Sequence, residues 1–396
     1  MRNSNILISG AGVAGPTLAY WLRQFGFNPT LVERAPVFRT GGYLIDFWGV
    51  GYDVAERMDL LVDLHRDGEQ VREVRVVNAA GQTTVTLDAQ RLLPSSGGRY
   101  VNILRGDLAY RVWQRVEHDV ETLFGESVTR VEQDASGVTV SFERAAPRRF
   151  DLVIGADGLH SRVRQLVFGE AECTVKHLGY GTAAFSVPNY GVRNDGAYVS
   201  FAAPGRQVAR YSLRDGRTVF FLLFACDAPR AAPFGARPGS MTRDALRNVF
   251  RGAGWECDAV LDAMDRTDDV YADAVAQIRM NTWWRGRVAL LGDAAFCPSL
   301  LSGQGSALAM AGAYLLARSL AEASGCHETA FEQYQRTFKP FVDRKQRAAA
   351  RYGPWFAPRT RFGVRVRNAA MRLMQVPAVS AYVAASSFRD DFRLPE

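Results

Sequence analysis

The sequence predicts an α/β fold in which a mostly parallel sheet covered by helices is interleaved with an antiparallel-sheet lobe and followed by C-terminal helices. Three observations predict it. The first 35 residues read as strand, glycine turn, helix and strand; Tyr180 to Cys226 alternates apolar and polar residues between turns without a helical period; and residues 330–396 return to helical spacing.

Taken in order, Ile6-Leu7-Ile8-Ser9 is an apolar strand that runs into Gly10-Ala11-Gly12-Val13-Ala14-Gly15. A helix from Pro16 to Phe25 stops at Gly26, and a second strand, Asn28 to Val32, ends in Glu33-Arg34. This βαβ context gives the GxGxxG loop its meaning: the first glycine permits the tight turn, the second lets a pyrophosphate approach the backbone, and the third lets helix and strand pack closely. The helix start, with Val13 and Ala14, then turns its positive end on the phosphates. Glu33 stands where a carboxylate can accept hydrogen bonds from a ribose and disfavour a 2'-phosphate, with Arg34 beside it. The loop alone does not distinguish NAD from FAD.

Val71 to Val77 and Thr83 to Leu87 read as short strands, and a helix is expected from Asp107 to Glu117. Strands at Gly137–Phe142 and Leu152–Ile154 follow, the second entering Gly155-Ala156-Asp157-Gly158. The antiparallel block has turns at Asn194-Asp195-Gly196, Pro204-Gly205 and Asp215-Gly216. After a helix from Thr242 to Arg251 and the strand Val288–Leu291, a third turn, Gly292-Asp293-Ala294-Ala295-Phe296-Cys297-Pro298, leads through Gly303-Gln304-Gly305 into a long helix to Ala323. Breaks are expected at Pro340, Pro354, Pro358 and Pro377.

With 47% hydrophobic and 22% charged residues in 396, the chain lies far from the composition of disordered proteins. No apolar stretch is long enough for a membrane span, and no export signal precedes the first strand. Five cysteines, odd in number and in no CxxC spacing, suggest reduced thiols in the cytoplasm and no metal site. The net charge of +7 is concentrated between Lys339 and Arg372, where Asp343 is the only acid, and reads as a solvated helical face rather than a nucleic-acid surface.

Together, the three glycine turns, in this order and covering roughly four fifths of the chain, resemble the class A flavoprotein monooxygenases of the p-hydroxybenzoate hydroxylase type. The loop Gly41-Gly42-Tyr43-Leu44-Ile45-Asp46-Phe47 is most similar to the subgroup with tetracycline-modifying oxygenases, although from its residues it could equally be an ordinary glycine loop. The resemblance implies a Rossmann-like FAD-binding domain with noncovalent FAD, Asp293 on a ribitol hydroxyl, and Arg105 near the phosphates. It also implies that the helix start at Gly303, Gly305 and Ser306 faces the flavin pyrimidine, and that the turn at Asp157 and Gly158, braced by Arg164, positions FAD and NAD(P)H. For Arg105, Asp157 and Arg164 a structural ion pair or helix cap is the alternative. Where many relatives carry His and then Pro-Pro, this chain has Phe296, Cys297, Pro298, Ser299 and Leu300, a more apolar substrate side.

The implied reaction uses NADPH or NADH to reduce FAD, and O2 to form a flavin C4a-hydroperoxide that gives one oxygen atom to an apolar aromatic or polycyclic small molecule. No catalytic protein side chain is required. Phe47, Tyr211, Phe220, Phe224, Phe296, Pro298 and Leu300 are the expected pocket walls. The expected domains are 1–70, 97–175 and 276–328 for FAD, 71–96 and 176–275 for substrate, and 329–396 as a helical region, in a monomer or homodimer. A flavin reductase or oxidase, a halogenase (for which the WxWxIP segment is absent) and a noncatalytic ligand-binding flavoprotein are the alternatives.

Overall fold

The computed structural model describes residues 2–38, 42–89, 98–169, 171–191, 196–226, 243–376, 378–380 and 391–396, so that Gly41, Asn194, Asp195, Thr242 and Pro377 among the positions named above lie outside the described residues. At the centre of the first lobe, Asn5–Ser9 pairs in parallel with Asn28–Glu33 on one side and Leu152–Gly155 on the other. Val288–Leu290 and Glu121–Phe124 extend the sheet in parallel, and Trp284–Arg285 closes one edge antiparallel. Ile6, Leu7 and Ile8 are fully buried because side chains on both faces meet protein, which is why this strand reads as a continuous apolar run. The helices Ala14–Gln24 and Gly305–Glu322 pack against one another beside it.

The second lobe is a seven-stranded sheet ordered Val270–Met280, Cys173–Pro188, Arg217–Ala225, Arg206–Ser212, Ala197–Ala203, Glu73–Val77, Thr83–Asp88. Directly paired residues share a face. One row therefore runs Tyr271, Ala184, Phe221, Ala209, Ser200, Val76, and the next Asp273, Thr182, Leu223, Gln207, Ala202. The opposite face carries Phe185, Phe201, Phe220, Leu222 and Phe224, buried against Leu246, Phe250, Val260, Leu261 and Met264 of the helices Arg243–Phe250 and Cys257–Met264.

Two strands belong to both lobes. Cys173–Pro188 and Val270–Met280 are paired from Cys173 opposite Met280 to Phe185 opposite Val270. Ile278 and Met280 sit in the core of the first lobe, Ala183, Phe185 and Ala272 in that of the second. The antiparallel ribbon of Leu44–Trp48 with Tyr100–Leu104 adds a further connection near the lobe boundary.

At the C-terminus the helix His327–Ala349 runs unbroken through Pro340, contrary to expectation. Both Pro340 and Arg336, whose carbonyl loses its partner there, are exposed, so water can satisfy the freed oxygen. Pro354 opens the short helix Gly353–Phe356 rather than ending one, in the first turn where its missing N–H costs nothing. The helix Arg361–Leu373 lays Met371 on Val76, Val85 and Leu87 at the far end of the sheet.

Candidate active site

A cleft opens where the carboxyl ends of the parallel strands face the seven-stranded sheet, the location at which open α/β sheets bind ligands. Its walls include Gly12, Val13 and Ala14 from the first glycine turn, Gly158 from the second, and Asp293, Pro298, Leu300, Gly303, Gly305 and Ser306 from the third. Arg105, the first residue of the helix Arg105–Gln114, reaches it from the side. Motifs nearly 300 residues apart in sequence are thus brought to one place.

Each glycine of the first turn has its own reason. A Cβ on Gly10, at φ 109°, would stand 2.5 Å from the Ala156 carbonyl oxygen, and one on Gly15 would stand 1.9 Å from that of Gly10. A Cβ on Gly12 would meet nothing within 4 Å, because that side of the loop opens on the cleft. Glu33 supports the loop: its carboxylate accepts the Ala11 N–H at 2.9 Å and the Ala35 N–H at 2.8 Å. Arg34 is exposed.

Asp157 takes the cap reading rather than the cleft. Its carboxylate accepts the Arg162 N–H at 2.7 Å, the Val163 N–H at 3.1 Å and the Ser161 hydroxyl, holding the start of the helix Arg162–Val167. Arg164, buried behind it, donates to the Leu159 carbonyl at 2.6 Å and the Ala294 carbonyl at 2.8 Å, tying the second turn to the third.

Arg105 and Asp293 set the electrostatics. Arg105 is ringed by protein, yet its side chain is accessible, because its free surface opens into the cleft. Burial disfavours its charge, but the groups that face it, Tyr43 once ionised at high pH and the Asp293 carboxylate, oppose burial and hold the guanidinium more firmly charged than usual. Burial raises the Asp293 carboxyl above its ordinary range, and Arg105 opposes this; the nearby Cys297 thiol donates to the Ala276 carbonyl at 3.7 Å. Burial likewise raises Tyr43, so both it and Tyr271 stay neutral phenols at neutral pH.

The expected apolar walls need correction. Pro298 and Leu300 line the cleft; Phe47, Tyr211, Phe220, Phe224 and Phe296 do not. Phe47 packs under the helix Val50–Arg57, against Gly51. Tyr211 lies on the cleft-side face but is buried among Leu104, Leu213 and Val219. Phe220 and Phe224 are on the helix-covered face, because a strand turns alternate side chains to opposite sides. Phe296 points into the first lobe, its ring 4.7 Å from that of Trp283 and 5.6 Å from that of Phe338. The aromatic wall is instead Tyr43 and Tyr271, 6.1 Å apart; Phe221 does not line the cleft but packs near Tyr43, 6.3 Å between ring centres. Thr182 completes this side, and the pair His160 and Asp273, 2.9 Å apart, joins the lobes. The i, i+2 spacing of Tyr271 and Asp273, in a segment not marked as strand from the sequence, was the available signal for these residues.

The residues present fit FAD. The open side of the loop at Gly12 admits a diphosphate, Arg105 supplies a cation and Asp293 an acceptor for a sugar-alcohol hydroxyl. The Ser299 hydroxyl, buried at the cleft wall, has no hydrogen-bond partner in the protein.

Fold and cleft together define a flavoprotein of the two-lobed, FAD-dependent oxidoreductase class. The chain belongs to the FAD binding domain family, whose profile matches residues 3–349. It is 35% identical over 366 residues to a flavin-dependent monooxygenase from Legionella longbeachae, covering 89% of each chain. The crystal structure of the tetracycline destructase Tet(55) superposes with a TM-score of 0.85 at 32% identity, covering 100% of both chains. At 22% identity, Klebsiella pneumoniae HpxO complexed with FAD and uric acid shares the fold with a TM-score of 0.78, covering 98% of each chain. The chain is an FAD-dependent monooxygenase. No helix among the described residues is long and apolar enough to cross a membrane.

As a core residue, Phe296 replaced by Ala should cost about 3 to 5 kcal/mol of stability and leave FAD affinity unchanged. A thermal melt and an FAD titration on one preparation check both halves.

Proposed function

We propose that this monooxygenase is reduced by NADPH or NADH and places one atom of O2 on an apolar, aromatic or multi-ring small molecule. The observation that carries this reading is the continuity of the cleft: a polar end made by Gly12, Arg105 and Asp293 passes into a wall of Tyr43 and Tyr271. Similarity to Tet(55), a tetracycline destructase, supports a multi-ring substrate.

Bound FAD would supply the redox chemistry, accepting two electrons from the nicotinamide and activating O2. The protein's part is to hold and to exclude. Gly12, Val13, Ala14 and Arg105 would hold the diphosphate, Asp293 the ribitol, and Gly303, Gly305 and Ser306 the electron-rich side of the ring through the helix start. Glu33 and Gly10 keep the loop in shape, and Gly15 lets the helix close on it. Tyr43, Tyr271, Pro298 and Leu300 would exclude water and pack on apolar substrate faces. In this reading residues 1–70, 97–175 and 276–328 form the FAD domain, 71–96 and 176–275 the substrate domain, and 329–396 a helical cover. All five cysteines are free thiols, which supports a reducing, cytoplasmic setting for a monomer or homodimer.

A screen of aromatic and fused-ring compounds tests this. At least one should accelerate NADPH oxidation and gain a single oxygen atom derived from labelled O2. Acceleration with hydrogen peroxide as the only oxygen product across the whole series would replace the monooxygenase reading by an oxidase.

A further inference from the structure

Ser299 follows Pro298 at the cleft wall and precedes the turn Leu300–Ser302. Its backbone has φ 80° and ψ 155°. That conformation is almost confined to glycine, and another residue pays roughly 1 to 3 kcal/mol to adopt it. The surroundings impose it. The Ser299 carbonyl accepts the Ser302 N–H at 3.1 Å and the Ser302 hydroxyl at 2.8 Å.

With the carbonyl engaged, the side-chain hydroxyl is left over. Ser299 is 2% exposed, and its Oγ has no partner. An unsatisfied buried hydroxyl costs a further ~1 to 3 kcal/mol. Serine is therefore unfavourable here on two independent counts, and glycine would avoid both. Buried strain and an orphaned polar atom together, on the wall of a ligand cleft, are accounted for by a ligand that uses the hydroxyl.

We propose that the Ser299 hydroxyl, buried behind the cleft wall without a partner, turns to hydrogen-bond the isoalloxazine of FAD when the cofactor is bound. The inference rests on the assignment of this cleft to FAD. A donor at this place favours the electron-rich, reduced ring over the oxidised one, so Ser299 also tunes the readiness of the flavin to accept electrons.

The test compares wild type with Ser299→Ala and Ser299→Gly, each stripped of FAD and retitrated with it. Both variants should raise the FAD Kd roughly 3- to 10-fold, the worth of one net hydrogen bond, and both should lower the flavin midpoint potential and displace its absorption bands. The apo proteins should show the opposite order. Alanine sheds the unsatisfied hydroxyl and glycine sheds the backbone strain as well, so both melt above wild type, glycine higher. Tighter folding joined to weaker FAD binding is a combination that a merely structural serine would not produce. Wild-type Kd and midpoint potential in both variants would overturn the proposal. If Arg105→Met also left the Kd unchanged, the assignment of the cleft itself would fall; if Arg105→Met weakened binding while the serine variants did not, the error would lie with Ser299 alone.

Discussion

Arg105→Met is expected to weaken FAD binding by about 10- to 150-fold, the equivalent of losing a charged hydrogen bond worth roughly 1.5 to 3 kcal/mol. Arg105 is the only cation among the described residues that line the cleft, and its free surface faces inward. The variant should fold. Methionine keeps most of the aliphatic stem, and Asp293, already raised by burial, can take up a proton once its opposing cation is gone. Fluorescence titration of the stripped protein reads the effect, and raising the ionic strength should weaken wild type more than the variant. A Kd within twofold of wild type at equal melting temperature would remove Arg105 from the diphosphate site.

The same substitution three residues apart in the first turn should produce opposite failures. Gly15→Ala puts a methyl 1.9 Å from the Gly10 carbonyl oxygen, with Leu31 Cδ2 at 3.3 Å behind it. Backbone cannot move aside cheaply, so helix and strand must separate at a cost of about 3 kcal/mol or more. Gly12→Ala meets nothing within 4 Å in the protein, so the fold should melt as wild type does. Its methyl occupies the space through which a diphosphate approaches the loop, so FAD affinity should fall while stability stays. Melting curves of both stripped variants, set beside their FAD titrations, check the split. A Gly15→Ala protein as stable as wild type would mean that helix and strand do not pack as closely on the loop as the 1.9 Å approach requires.

What could be read from the residues was whatever depends on local chemistry. The glycine turns announced themselves because each glycine answers a local need, and Gly12, Asp293, Gly303 and Gly305 duly meet at one cleft. The wall aromatics could not be read the same way. Phe220 and Phe221 are adjacent in sequence and chemically identical; only the pairing of their strand with its neighbours decides that Phe221 faces Tyr43 while Phe220 lies under the helices. Phe296 failed for a related reason, since the turn that carries it sends Pro298 to the cleft and Phe296 to Trp283. Asp157 shows the limit from the other side. Its carboxylate suits a ribose as well as it suits a helix start, and the nearby N–H groups of Arg162 and Val163 claim it.

The two strands shared between the lobes also bear on how the chain is made. Leu152–Gly155, beside the first strand, waits for Val288–Leu290 as its other neighbour, and Cys173 waits for Met280. A ribosome must therefore have passed residue 290 of 396 before the N-terminal sheet can be completed. Contacts of such separation are slow to form. Until then Leu152–Gly155, apolar and without its second neighbour, is an open edge of the kind that makes an incomplete chain prone to aggregate.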